Sequence, residues 1–330
     1  MTKITRAQLE EAAALVHGVM PATPQYAWPL LKARLGVEVV VKHENHTPTG
    51  AFKVRGGIVY LDRLRRERPD VRGIVSATRG NHGQSLALAG ARAGVPVTIV
   101  APHGNAREKN AAMRAFGAEL IEHGEDFEAA RSLLPQLAEE RGYEVVPSFH
   151  PDLVAGVASY ALELFTACPD LHTVYVPIGL GSGICGLIAA RDALGLDTQI
   201  VGVVSENADA YARSLEAGEI IATETSRTFA DGMATRQPDP DAFAIIRAGA
   251  ARIVRVSDPE VAEAIRIYHE DTHNLAEGAG AAPLAALARE IRNGDAVFPE
   301  GARVGVILCG GNIDRGVAAR VLAGETPEPA

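Results

Sequence analysis

The sequence predicts an α/β fold built on parallel sheets, and three observations carry that prediction. Short β-branched runs alternate with segments of helical composition through most of the chain. Glycine-rich turns stand where several of those runs end. The length, 330 residues, suffices for two domains sharing a large core. Strands separated by connections of helix length pair in parallel through right-handed crossovers.

Taken in order, the N-terminal MTKITRAQLEEAAALV alternates charged and apolar residues. It reads as an amphipathic helix and lacks the apolar core of a signal peptide. Val37–Lys42 is a strand, as is Gly73–Ser76. Gln84–Ala93 has helical composition and is closed by Gly94, after which Val95–Ala101 is again a strand. Arg107–Phe116 reads as a helix and Ala118–Glu122 as a strand. Thr173–Ile178 is a strand running into the glycine-rich Gly179–Gly186, with a helix over Ile184–Leu194 and a strand over Gln199–Val204. Arg252–Val256 is a strand, Asp258–Thr272 a helix and Ala302–Leu308 a last buried strand. The polar, proline-bearing tail Gly324–Ala330 is expected to be disordered.

Composition narrows the function classes. Apolar residues make up 47% and charged residues 22%, as in ordinary globular proteins. A net charge of −9 disfavours a nucleic-acid partner, since a phosphate backbone recruits cations. The three cysteines Cys168, Cys185 and Cys309 are far apart and form no CxxC pair, which argues against a disulfide framework or a structural zinc site. No uninterrupted apolar stretch is long enough to span a bilayer, so a cytoplasmic protein is expected.

Three glycine-rich turns, Thr49–Gly57, Thr78–Gly83 and Gly179–Gly186, follow strands, and Cys309–Asn312 closes the last one. Ligands in open α/β sheets bind at the carboxyl ends of strands, so four such turns converge on one site. Gly179-Leu-Gly-Ser-Gly-Ile-Cys-Gly186 opens a helix, and backbone N–H groups there suit a phosphate. The same segment fits the dinucleotide pattern G-x-G-x-x-G, with Glu206 where a ribose-binding acid stands. On this segment alone a phosphate cofactor, NAD and a plain tight turn all stay open. Lys53 follows Thr-Gly-Ala-Phe. It is either a surface lysine or an amine for a Schiff base beside the phosphate site. Asn81 and His82 either cap the following helix or help a loop of donors grip a carboxylate.

Together these motifs are specific. Pro48-Thr-Gly-Ala-Phe-Lys-Val-Arg-Gly56 resembles the cofactor-lysine motif of the serine/threonine dehydratases. These are pyridoxal-phosphate enzymes of the tryptophan-synthase-β fold (fold type II), a family that includes serine racemase. Gly80-Asn81-His82 resembles the family's asparagine loop, Gly179–Gly186 its phosphate loop and Cys309-Gly-Gly-Asn312 its Ser-Gly-Gly-Asn motif. Order and spacing agree, and the likeness runs from about Pro21 to Val321.

The resemblance implies an architecture and a chemistry. Residues 1–49 and 148–330 would form a large cofactor-binding domain, and residues 50–147 a small mobile domain inserted in it. A homodimer is expected by the same likeness. Lys53 would hold pyridoxal 5′-phosphate and act as the base at Cα. Phe52 would pack near the ring and Asn81 would bond its phenolic oxygen. Gly179, Leu180, Gly181, Ser182 and Gly183 would surround the phosphate, and Cys309 would meet the pyridine nitrogen. Thr78, Arg79, Gly80, Asn81 and His82 would bind substrate. The implied reaction is loss of water from threonine, serine, 3-hydroxyaspartate or a bulkier β-hydroxy amino acid such as 3-phenylserine, giving a 2-oxo acid and ammonia. The alternatives are a β-replacement synthase of the same fold, a non-catalytic binding protein on it and an NAD-dependent oxidoreductase, the last leaving Lys53 and Cys309 unexplained.

Several positions depart from the family pattern. Arg79 stands where many dehydratases have a small residue and serine racemase an acid/base serine, so little racemase activity is expected. Arg79 would grip a carboxylate, the substrate's own or a second one, or else face solvent. Val204 and Ala210 replace acids of a divalent-cation site, so no Mg²⁺ or Ca²⁺ is expected there, with Glu206 and Asp209 still nearby. Leu180 and Ser182 interrupt what is commonly a run of glycines. The family-like core fills the chain, which points to a degradative enzyme without a regulatory domain. Phe229–Met233 and Glu277–Gly280 are expected near the site, and His82 and His273 are expected to be structural or solvated.

Overall fold

The computed structural model describes residues 4–329. Ten strands follow in chain order: β1 (Gln25–Ala27), β2 (Glu38–His43), β3 (Ile74–Ala77), β4 (Val97–Ala101), β5 (Glu119–Glu122), β6 (Glu144–Val145), β7 (Leu171–Pro177), β8 (Gln199–Ser205), β9 (Arg252–Val256) and β10 (Arg303–Leu308). They form two sheets, ordered β1-β2-β10-β7-β8-β9 and β5-β4-β3-β6. Every pairing is parallel except β1 on β2. The central strands read as unbroken β-branched runs because helices cover both faces. Val39, Val41, Val304 and Val306 are accordingly fully buried. The chain leaves the six-stranded sheet after β2, builds the four-stranded one and returns at β7. The carboxyl ends of β3, β7 and β10 carry the turns singled out above.

Helices Lys53–Glu67 and Pro151–Ala167 pack where the two sheets meet. Their backbones touch so closely that a Cβ on Gly156 would collide with the carbonyl of Arg55. An ionic cluster lies in this seam. Arg55, with no solvent exposure, bonds both carboxylate oxygens of Glu44 (2.7 and 2.9 Å) and both of Glu163 (2.6 and 3.0 Å). Lys42 adds a 2.6 Å bond to Glu163. Burial opposes charge on Glu163, yet Arg55 and Lys42 together hold its carboxyl down at about 2.

The structure corrects the expected elements at several points. The glycine-rich turn after the first strand ends at Phe52, and Lys53–Glu67 is a helix that includes Gly56 and Gly57. The second turn is likewise shorter, since the helix after β3 starts at Asn81. β4 begins only at Val97, because Pro96 precedes it. The tail is not free over its described length. Glu325 N–H donates to Arg320, its carboxylate accepts from the Arg320 side chain at 2.8 Å, and Pro327 is buried. Among the described residues no helix is long and apolar enough to cross a membrane.

Candidate active site

Besides the one that carries Asn81, four chain segments meet at one cleft, and backbone bonds lock three of them together. Phe52 N–H donates to the carbonyl of Cys309 (2.9 Å), Gly311 N–H to that of Gly50 (2.9 Å) and Glu277 N–H to that of Gly310 (3.1 Å). A chain of side-chain amides then crosses the cleft. Asn312 Nδ2 donates to the carbonyl of Thr49 and to Asn81 Oδ1, both at 2.8 Å. Asn81 Nδ2 in turn donates to Glu277 Oε1 at 2.8 Å. Asn81 is thus oriented from two sides before any ligand binds.

The fourth segment is Gly179–Gly183. Gly181 has φ +103°, a left-handed conformation, and a Cβ there would lie 2.8 Å from Ala242 Cβ. The helix Ser182–Leu194 starts at this point without a side-chain cap, leaving its first N–H groups to the cleft. Two tyrosines fix the loop from behind: Tyr211 Oη donates to the carbonyl of Leu180 (3.0 Å) and Tyr160 Oη to that of Gly183 (3.1 Å). Leu180 and Ser182 therefore fit the turn through the backbone. Phe52, Lys53, Asn81, Gly179–Gly183, Glu277 and Cys309 line a common pocket.

Lys53 is the first residue of its helix, with Nζ 4.9 Å from the centroid of the Phe52 ring. Burial lowers its pKa, with partial compensation from Cys309 and Glu277. The same burial pushes the Cys309 thiol well up, so it stays protonated. Burial also raises the Glu277 carboxyl to about 7, against the pull of Lys109 and the Asn81 bond. Glu277 Oε2 is buried and has no partner. His82 is buried with its Nε2 unpartnered; desolvation, then the charge of Lys53, takes its pKa down to about 3. It is a neutral wall residue.

Thr78 is buried, and its hydroxyl accepts the Gly80 N–H at 3.1 Å, which fixes the turn carrying Arg79. Lys109 and Asp231 form an ion pair beside this turn, which brings Phe229–Met233 to the cleft wall as expected. His273 is a left-handed residue closing the helix Asp258–Thr272. At the expected cation position, Val204 pairs in register with Arg255, whose guanidinium bonds Asp209 (3.0 Å) and Glu216 (2.6 Å). Glu206 is exposed.

Sequence reasoning left Glu277, Asn312, Lys109 and Asp231 out of the site residues. For Glu277 a signal existed: one carboxylate within the small apolar run Ala276–Ala282. Lys109 and Asp231 meet only through tertiary structure.

The donor set fits a cofactor with an aldehyde, a phosphate and a basic ring. It offers a buried lysine amine whose pKa is lowered, an uncapped helix start behind a glycine loop and a protonated thiol. Fold and site thus define a lysine-dependent cofactor enzyme with its centre between two parallel sheets. The chain belongs to the pyridoxal-phosphate dependent enzyme family, whose model matches residues 18–310. It is 32% identical to an L-threonine ammonia-lyase of Thermotoga maritima, over 97% of this chain and 78% of that protein. It is 35% identical to an L-threo-3-hydroxyaspartate ammonia-lyase of a Pseudomonas species, over 95% of this chain and 97% of that protein. Maize serine racemase superposes with a TM-score of 0.91 at 26% identity, covering 98% of both chains. The family's cofactor is pyridoxal phosphate, which overturns the NAD reading of Gly181–Gly186.

Proposed function

We propose that this protein is an ammonia-lyase that eliminates water from a β-hydroxy amino acid and yields a 2-oxo acid and ammonia. The observation that carries the reading is the Lys53 amine lining one pocket with the glycine loop and Cys309. Lys53 would hold the cofactor, Gly179–Gly183 its phosphate, Asn81 and Phe52 its ring and Cys309 the ring nitrogen. Bound there, pyridoxal phosphate supplies the electron sink that makes a Cα–H bond breakable.

The residues of the chain do the rest. Burial lowers the pKa of Lys53, which eases its task as the base that would take the Cα proton, since a base must be unprotonated to act. Asn81, held by Asn312 and Glu277, would offer the cofactor ring a fixed hydrogen-bonding partner. A protonated Cys309 donates without adding charge, which tempers the electron sink and favours early departure of the β-hydroxyl. Residues 50–147 would close on substrate and exclude water, with the Lys109–Asp231 pair at the seam. A homodimer fits the family.

The test is a visible spectrum of the purified protein, with assay of 2-oxo acid and ammonia on L-serine, L-threonine, threo-3-hydroxyaspartate and 3-phenylserine. The expected result is a violet-edge band and turnover, both lost in Lys53→Ala. A protein that stays colourless with added pyridoxal phosphate would overturn the reading.

A further inference from the structure

Arg79 is unusual among the arginines of this chain. Among the described residues, every other arginine shielded from full solvent exposure has a hydrogen-bonding partner, as Arg55, Arg252 and Arg303 do. Arg79 is partly buried and forms no ion pair, and its Nε is shut away from water without an acceptor. A buried N–H without an acceptor is costly unless a ligand brings one, and a carboxylate answers both the N–H and the charge of the guanidinium.

Its position says where that ligand lies. Thr78 N–H donates to the Val100 carbonyl (3.0 Å), and Gly80 N–H to Thr78 Oγ1 (3.1 Å). Two residues on, Asn81 is tied to Glu277 and Asn312. Arg79 thus sits on a rigid turn at the carboxyl end of β3, two residues before Asn81, which lines the cleft. The acids nearby do not answer it. Asp231 is held by Lys109, and Glu277 accepts from Asn81 while burial raises its pKa. The helix Asn81–Ala93 begins without a side-chain cap, so its first N–H groups can take an α-carboxylate. That leaves the arginine fork for a second one.

We infer that Arg79 is a specificity-determining residue which binds a carboxylate on the substrate's β-carbon, making the preferred substrate a 3-hydroxy dicarboxylic amino acid. The inference rests on the ammonia-lyase reading of the site. The geometry asked of Arg79 is a planar fork against a planar carboxylate, which lysine reproduces only as a point charge.

The experiment compares kcat/KM for threo-3-hydroxyaspartate and L-serine in the wild-type holoenzyme and in Arg79→Ala, Arg79→Gln and Arg79→Lys. The thermal shift given by succinate and by acetate is measured alongside. Loss of a charge-assisted, bidentate contact is expected to lower the hydroxyaspartate-to-serine ratio about 100-fold in the neutral variants. Arg79→Lys should fall in between. Succinate should stabilise the wild type and not the neutral variants, and acetate should stabilise neither. A ratio unchanged in Arg79→Gln, with the succinate shift retained, overturns the assignment. Should Arg79→Ala fail to fold, Arg79→Lys and Arg79→Gln still decide. Turnover of serine with an unchanged ratio sinks only the role of Arg79, whereas a wild type without a visible band or turnover on any substrate sinks the ammonia-lyase reading itself.

Discussion

Replacing Glu277 by glutamine should change how stability depends on pH, by an amount the structure supplies. Glu277 is 3% exposed, and its carboxyl is raised from 4.5 to about 7, chiefly by burial. A carboxyl raised on folding binds its proton more tightly in the native state. The native state therefore loses stability as pH climbs from 4.5 through 7. A shift of about 2.5 units at 1.36 kcal/mol each amounts to roughly 3 kcal/mol. Glutamine has the same shape and no charge, and its carbonyl can still accept from Asn81 Nδ2. The assay is urea unfolding of cofactor-free wild type and Glu277→Gln at pH 5 to 8.5. The stability difference between variant and wild type should move in the variant's favour by about 2.5 kcal/mol over that range, the rest lying below pH 5 where the unfolded carboxyl still takes up its proton. A difference that is the same at pH 5 and pH 8.5 would show that Glu277 does not titrate there and would refute the reasoning.

Two further outcomes follow from the packing. Arg55→Met leaves Glu44 and Glu163 buried with only Lys42 between them, and should cost about 3–5 kcal/mol in urea unfolding; a loss below about 1 kcal/mol would mean that the seam relaxes or admits water. Gly181→Ala forces a side chain into a left-handed turn against Ala242, so we expect about 1–3 kcal/mol of strain and weaker uptake of pyridoxal phosphate, read by titrating the visible band. Uptake equal to wild type would count against a phosphate on this loop.

The central strands were legible because they are buried on both faces and so read as continuous β-branched runs. β2, β4, β8 and β10 match the predicted segments to within one or two residues. β1 was not legible, since Gln25–Ala27 is a short, half-exposed edge strand with no alternation to detect. The helix Pro151–Ala167 was passed over, because its small apolar residues, packed on two sides, leave little polar face. Residues that line the pocket could be named because Lys53, Asn81, Gly179–Gly183 and Cys309 lie in short contiguous motifs. Their bracing could not. The Glu277–Asn81–Asn312 chain joins residues about 200 positions apart, and only the folded chain brings them within hydrogen-bonding reach.

Burial does one thing to every titratable group of the pocket, and the consequence is chemical. It lowers the pKa of Lys53 and keeps protons on Cys309 and, up to about pH 7, on Glu277, while His82 stays neutral. Each group is driven to its uncharged form, which is what desolvation does whatever the sign of the charge. A pocket neutralised in this way adds no charge of its own where bonds break, and the full charges enter with cofactor and substrate. Lys109 is paired with Asp231, whereas the buried Nε of Arg79 has no partner. In the roles proposed above, charge recognition by Arg79 is separate from proton transfer at Lys53, so that a change of substrate class could come from the turn after β3 without disturbing the amine.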